Sequence, residues 1–74
     1  MEHGAIKIKL DELMEKEHLS IKKLSEEAEM QRWQVRRYCK NEITRLDTAV
    51  LARLCRALNC SISDLLEYIP PEIE

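Results

Sequence analysis

Residues 20–40 read SIKKLSEEAEMQRWQVRRYCK, and this stretch decides the fold. Its apolar side chains recur at three- and four-residue spacings on either side of a short break, as along two amphipathic helices. The apolar positions are Leu24, Ala28, Met30, Val35 and Tyr38. A small residue, Ser25, stands where the two helices must approach closely. The spacing therefore predicts two short helices that meet at a tight turn.

The second of these helices, QRWQVRRYCK at residues 31–40, gathers positive charge on one side. On a projection at about 100° per residue from Val35, four side chains fall between roughly 100° and 200°. These four are Trp33, Arg36, Arg37 and Lys40. The other side holds Val35, Tyr38 and Cys39. An apolar inner face and a cationic, aromatic outer face suit a negatively charged groove, so our working hypothesis is that this helix reads DNA.

The charge distribution supports this hypothesis although the whole chain has a net charge of −2, which alone argues against general nucleic-acid binding. Residues 22–45 carry seven basic and four acidic side chains. Residues 1–21 carry three basic and five acidic side chains, and residues 46–74 carry two basic and five acidic ones. The middle third is therefore the electropositive part, and its cations share a helical face rather than scattering at random.

The rest of the chain predicts more helices of the same size. Ser20, Asp47 and Ser61 are good N-caps, each flanked by apolar residues that can staple the first turn, whereas Gln31 is a poor one. The expected helices cover residues 8–17, 21–28, 31–40, 48–58 and 62–68, with Pro70–Pro71 closing the last. Residues 5–10, AIKIKL, are either a short extended strand or the beginning of the first helix. With 74 residues, the chain is expected to be a single all-α domain, residues 1–74, with a thin core.

Several other classes of function find little support in the sequence. The three cysteines, Cys39, Cys55 and Cys60, form no CxxC pair and no cluster with histidine, so we expect no metal site. Unpaired thiols favour a reducing compartment, hence the cytoplasm. There is no apolar run of about 18 residues and no signal-peptide pattern, so no membrane contact is expected. No serine has a neighbouring histidine and no Gly-rich phosphate loop exists, so we expect no enzyme, no cofactor and no small-molecule site.

Three phrases of the chain resemble the Cro/C1-type (XRE-like) helix-turn-helix family, in the family's order. They are KIKLDELMEKE, LSIKKLSEEAEMQRWQVRRY and RLCRALNCSISDLLEYI, of which ALNCSISDLL is the most distinctive part. The resemblance implies a five-helix, lambda-repressor-like domain over residues 6–69, followed by a short tail at 70–74. It also implies a prokaryotic or phage transcriptional regulator whose third helix lies in the major groove of double-stranded DNA. Members of the family commonly bind palindromic operators as homodimers.

The resemblance also assigns roles to individual residues. The candidates for base contacts are Arg32, Trp33, Arg36 and Arg37. The candidates for phosphate contacts are Gln31, Lys40, Asn41 and Arg45, with Lys22 or Lys23 at the start of the second helix. Any one arginine could read guanine or could bind phosphate or a surface carboxylate instead. Trp33 could press on a thymine methyl group or a sugar, or could anchor a protein partner.

Three departures from the family pattern affect how this motif would dock. Glu29 occupies the turn position that usually holds glycine, so we expect a rearranged turn. Ile21 replaces the usual phosphate-binding glutamine, and Gln31 replaces the usual serine or threonine. The nearby acids Glu26, Glu27 and Glu29 are expected to point away from DNA or to pair with arginines.

Two questions remain open at the level of sequence. The first is whether the fold serves instead as a protein-interaction module, such as an antitoxin-like or anti-repressor partner. The second is which surface forms the homodimer. One candidate is the last helix, with Ile62, Leu66 and Ile69, and the other is the extended segment at residues 5–10 pairing by β-addition.

Overall fold

A computed structural model describes residues 3–72, and in this range the chain forms five helices and two short strands. The helices are α1 (Leu10–Lys16), α2 (Ile21–Glu27), α3 (Arg32–Cys39), α4 (Thr48–Leu58) and α5 (Ile62–Leu65). The strands are β1 (Ala5–Ile8) and β2 (Leu66–Ile69). The five-helix prediction is confirmed, and residues 5–8 are an extended strand rather than the beginning of α1. The expected tail at 70–74 lies partly outside the described residues, which end at position 72.

The prediction of a last helix over residues 62–68 is wrong. Helix α5 is a single turn that ends at Leu65, and Leu66 already has extended backbone angles, φ −117° and ψ 141°. Pro70 disfavours helical angles at the residue before it and pushes that residue toward extended conformations. A strand partner is also available, because β2 pairs antiparallel with β1, with Ile8 opposite Leu66 and Ala5 opposite Ile69. We call this two-stranded unit the β-ribbon.

The core lies between the helices and one end of the β-ribbon. Each element contributes at least one buried apolar side chain, except β2, whose Leu66 is half-buried. The buried apolar residues are Ile8, Leu10, Met14, Leu24, Ala28, Met30, Val35, Tyr38, Leu54, Leu58 and Leu65. Burial of these side chains is the main favourable term in folding for a chain this small. Across residues 3–72, no helix has both the length and the apolar character that a bilayer crossing demands.

The predicted N-caps form as expected. The Ser20 hydroxyl accepts the Lys23 N–H at 3.1 Å, and the Asp47 carboxylate accepts the Ala49 N–H at 2.8 Å. Ser61 and Asp64 form a reciprocal capping box at the start of α5. Each bond satisfies a backbone donor that the first helical turn leaves without an internal partner.

Helices α1 to α4 all end in the same kind of turn, which the sequence conceals because none of the turns contains glycine. A residue with left-handed angles stands second after α1, α2 and α3 and first after α4: His18 at φ 56°, Glu29 at 54°, Asn41 at 58° and Asn59 at 51°. The N–H of the next residue then donates to a carbonyl five residues earlier, as in Leu19 to Met14 at 2.9 Å. This is the hydrogen bond of a Schellman motif, and it reverses the chain in few residues.

Candidate DNA-binding interface

Helix α3 has two chemically different faces, as its sequence predicts. Val35 is fully buried and Tyr38 is 6% exposed, whereas Trp33 is 55% exposed. The cations Arg32, Arg36, Arg37 and Lys40 are all exposed. The inner face therefore holds the helix on the core, and the outer face presents an aromatic ring among positive charges.

The turn before α3 is not rearranged, so that expectation is wrong. Glu29 adopts the left-handed conformation at φ 54°, and the Met30 N–H donates to the Ser25 carbonyl at 2.9 Å. A residue other than glycine adopts the left-handed conformation at a cost of about 1–2 kcal/mol. The Schellman hydrogen bond and the burial of Met30 offset this cost, and the Glu29 side chain remains exposed.

A side chain from α4 fixes the same turn. The Arg53 Nε–H donates to the Ala28 carbonyl at 2.7 Å, which satisfies a carbonyl left free at the end of α2. Ser25 is buried at 7% exposure, and its hydroxyl donates to the Lys22 carbonyl at 2.7 Å. This role of Arg53 is absent from the residues predicted from the sequence. Its spacing of three residues from Val50 and four from Ala57 places it on a partly buried side of α4, and this signal could have revealed it.

The start of α3 is satisfied without a serine or threonine cap. Gln31 has extended backbone angles, and its N–H donates to the Gln34 side-chain oxygen at 2.9 Å. The Gln31 side chain is exposed at the leading end of the helix. The poor cap is therefore compensated by a residue one turn later.

Asn41, predicted from the sequence to contact phosphate, forms structural hydrogen bonds instead. Its amide oxygen accepts the Ile8 N–H at 2.6 Å, and its amide nitrogen donates to the Ile8 carbonyl at 3.1 Å. These two bonds join the end of α3 to the β-ribbon. A phosphate contact through the Asn41 amide would have to displace them, so we leave Asn41 out of the proposed contacts.

The remaining predicted cations differ in their freedom to meet DNA. Lys23 lies 3.7 Å from the Glu27 carboxylate, and the Arg37 guanidinium donates weakly to the Glu42 carbonyl at 3.4 Å. Within residues 3–72, Lys22, Arg32, Arg36, Lys40 and Arg45 form no ion pair. The nearby acids are exposed, and Glu27 pairs with a lysine rather than with an arginine. Most of the cationic surface is therefore unneutralised.

Tyr38 and the cysteines serve the core. Burial raises the pKa of the Tyr38 hydroxyl, and the Asp47 carboxylate raises it further. Burial likewise raises the pKa of Cys39, and burial with the neighbouring Cys55 raises that of Cys60 to about 11. The Tyr38 hydroxyl and the Cys39 and Cys60 thiols are therefore neutral at pH 7. No cluster of three or more potential metal ligands exists among residues 3–72.

Comparison with known proteins identifies the class to which this fold and surface belong. The sequence profile of the Cro/C1-type HTH DNA-binding domain matches residues 9–71. The chain is therefore a member of the Cro/C1-type helix-turn-helix family, and its helix-turn-helix consists of α2 and α3.

One solved structure shows how far the fold extends. The transcriptional regulator VanUg, in its crystal form II, superimposes with a TM-score of 0.73 at 22% identity. The match covers 96% of this chain and 93% of that one. No curated protein sequence is significantly similar to the chain.

Proposed function

We propose that this protein is a prokaryotic or phage transcriptional regulator that binds a palindromic operator as a homodimer, with α3 in the major groove. The observation that carries the proposal is the exposed face of α3, where Trp33, Arg36 and Arg37 project from a helix whose opposite side is buried. A rigid helix with such a face fits the major groove, which admits one α-helix. The likeness to a transcriptional regulator supports the same role.

We divide the contacts by position along α3. Arg32, Trp33, Arg36 and Arg37 are proposed to reach base edges, because they lie along the helix itself. Arginine can bond guanine O6 and N7 with two N–H groups, and the indole ring can press on a thymine methyl group. At least one of the arginines reads a base in this proposal, and the others bind phosphate.

The proposed phosphate contacts flank the helix. Gln31 lies at its start, Lys40 at its end and Arg45 in the following loop, with Lys22 at the start of α2. Lys23 is a weaker candidate because Glu27 already neutralises it. Each phosphate contact releases condensed counterions and should make the slope of log affinity against log salt more negative by about 0.9. A role on chromosomal or phage DNA also places the protein in the cytoplasm.

The experiment is a selection from random DNA duplexes, followed by binding of the enriched sequence across a range of salt. We expect a palindromic site and an affinity that falls steeply with salt. The double variant Arg36→Ala/Arg37→Ala should lose about 1–3 kcal/mol of binding free energy for each arginine that reads a base. A matched control, Lys16→Ala/Arg56→Ala, removes the same charge from exposed positions on α1 and α4 and should change the affinity little.

Two results would contradict the proposal. The first is a selection with no enriched sequence. The second is equal loss of affinity in both double variants, because general charge rather than the face of α3 would then drive binding. The variant Trp33→Ala distinguishes DNA binding from the protein-interaction alternative. That alternative predicts that the chain binds a protein with little dependence on salt and that the indole ring contributes most of the binding free energy.

A further inference from the structure

The β-ribbon presents an unpaired strand edge that bears on how two copies meet. Ile8 donates and accepts hydrogen bonds on the side of β1 that faces away from β2, since both of its backbone groups bind Asn41. Backbone groups of successive residues in an antiparallel ladder point to alternate sides. With the register of Ile8 opposite Leu66, Tyr68 must therefore direct both its N–H and its carbonyl away from β1. Neither group has a hydrogen-bond partner within residues 3–72.

The two outer edges of the β-ribbon are not equivalent. On β1 the Asn41 amide fills the place that another strand would take beside Ile8, which leaves only the Ile6 groups free. On β2 the Tyr68 N–H and carbonyl are both open, and the Leu66 carbonyl lies on the same side. The edge of β2 is therefore the less obstructed of the two.

Apolar side chains surround this edge. The exposed fractions are 58% for Tyr68, 42% for Ile69 and 48% for Ile62. The Ile62 carbonyl accepts the Leu66 N–H beside the edge. An open strand edge with apolar neighbours is a template for pairing with another chain, and natural proteins often limit such pairing with charge or proline. β2 carries the exposed Glu67 and is followed by Pro70, so any pairing must accommodate both residues. Because successive side chains of a strand point to opposite faces, Tyr68 and Ile69 flank the open edge on its two faces.

We propose that the partner on this surface is a second copy of the chain, and that the two β2 strands pair antiparallel about Tyr68 into a four-stranded sheet. A residue with both groups open is self-complementary, because the Tyr68 N–H of each copy can donate to the Tyr68 carbonyl of the other. This pairing places Glu67 opposite Ile69 of the second copy. The neighbouring register, Leu66 opposite Tyr68, would instead place the two Glu67 carboxylates opposite each other, which is unfavourable.

The ends of β2 limit the pairing to this short stretch. Leu66 already donates its N–H to the Ile62 carbonyl, and Pro70 has no N–H to donate. In the register centred on Tyr68, Leu66 of one copy lies opposite Pro70 of the other. The pairing can therefore end there without leaving a backbone N–H unpaired. Two backbone hydrogen bonds and the apolar side chains then hold the copies together. The inference rests on the homodimer in the proposed function and specifies its surface.

Backbone N-methylation tests the inference without altering any side chain. The 74-residue chain can be assembled from two synthetic peptides joined at Cys39, which allows an N-methyl group at Tyr68 or, as the matched control, at Ile6. Both N–H groups point outward, so neither methyl group touches the ladder between β1 and β2. Sedimentation equilibrium without DNA then measures the dimer dissociation constant, and circular dichroism checks the fold.

We expect methylation at Tyr68 to raise the dimer dissociation constant at least about tenfold, because both intermolecular hydrogen bonds are lost at once. Methylation at Ile6 should leave it unchanged. Dimers that persist in both variants, a loss confined to the Ile6 variant, an equal loss in both, or a monomeric unmodified protein would each overturn the inference. Since the measurement contains no DNA, failure of operator binding would be recognised separately, by the selection experiment.

Discussion

Helix α3 and the β-ribbon are both exposed, yet they differ in what they expose. The outer face of α3 carries cations around one indole ring, and its opposite face is buried through Val35 and Tyr38. The β-ribbon leaves apolar side chains and an open backbone edge in solvent, with Ile6 54% exposed and Tyr68 58%. Exposure alone therefore does not define a binding surface. Charge on a rigid face fits an anionic groove, whereas an apolar strand edge fits another chain.

The two regions should respond very differently to truncation of one apolar side chain. Leu24→Ala removes a fully buried side chain under the helix-turn-helix and should lower the free energy of unfolding by about 2–5 kcal/mol. Ile6→Ala removes a half-exposed side chain of the β-ribbon and should cost less than about 1 kcal/mol. Urea titrations followed by circular dichroism measure both. Equal losses would show that Ile6 is as important to stability as a buried core residue.

Asn41 connects the two regions, so its removal should sharpen the comparison. Asn41→Gly keeps the left-handed turn but removes both hydrogen bonds to Ile8. We expect a loss of about 1–3 kcal/mol in unfolding free energy, because hydrogen bonds to buried or half-buried backbone groups are lost while the backbone strain is relieved. The rate of hydrogen exchange at the Ile8 N–H should increase more than the rates of the backbone amides in α4. Unchanged protection at Ile8 would contradict this role for the amide.

Glu29 provides a test within the helix-turn-helix alone. Glu29→Gly should stabilise the fold by about 1 kcal/mol, because glycine adopts φ 54° without the penalty that a Cβ imposes. Glu26→Gly makes the same chemical change three residues earlier, inside α2, and should destabilise it by a similar amount, about 1 kcal/mol. Thermal melts of the two variants should shift in opposite directions. A shift of the same sign would mean that charge, rather than backbone geometry, decides both.

The smallest expected effect is at the capping box that begins α5. The Ser61 N–H donates to the Asp64 carboxylate at 3.1 Å, and this bond, followed by the Ser61 side chain, lowers the pKa of Asp64. A lowered pKa in the folded state means that the stabilisation is present above the unfolded value of 3.8 and is lost as pH falls through the folded value. Asp64→Asn should therefore flatten the acid side of the stability profile below about pH 4. An NMR titration of the Asp64 carboxyl checks the direction, and a raised midpoint would refute it.

The accuracy of the sequence predictions follows from the kind of signal that each region carries. The buried and exposed faces of α3 were predictable because helical periodicity sorts Val35 from Arg36 within a single turn. The caps Ser20, Asp47 and Ser61 were predictable because each acts on its own helix. The contacts of Arg53 and Asn41 were not predictable, because they join residues that are far apart in the sequence. Arg53 binds a residue 25 positions away, and Asn41 binds one 33 positions away. The roles of the outward cations stay predictions until DNA binding is measured.

The end of the chain and the turns show the same division. Residues 66–68 continue a helical apolar pattern, so the sequence predicted helix, but strand pairing with β1 and Pro70 favoured extension. Glu29 appeared incompatible with the tight turn. The left-handed turn forms nevertheless, because a Schellman hydrogen bond and the burial of Met30 offset the backbone strain at Glu29. The sequence rule considers only that strain.

The helices, their caps and the cationic face of α3 could be predicted from the amino-acid sequence, because these features depend on neighbours within one or two helical turns. The resemblance to the Cro/C1-type family was visible in the same segments. The tertiary contacts were needed to show that residues 66–69 pair with residues 5–8 and that the edge of β2 stays open. The same is true of Arg53, which holds the turn between α2 and α3, and of Asn41, which holds the end of α3 on the β-ribbon. Each of these depends on which distant segments come together. That choice is made by burying one shared core and satisfying backbone groups across it, and no local pattern encodes it.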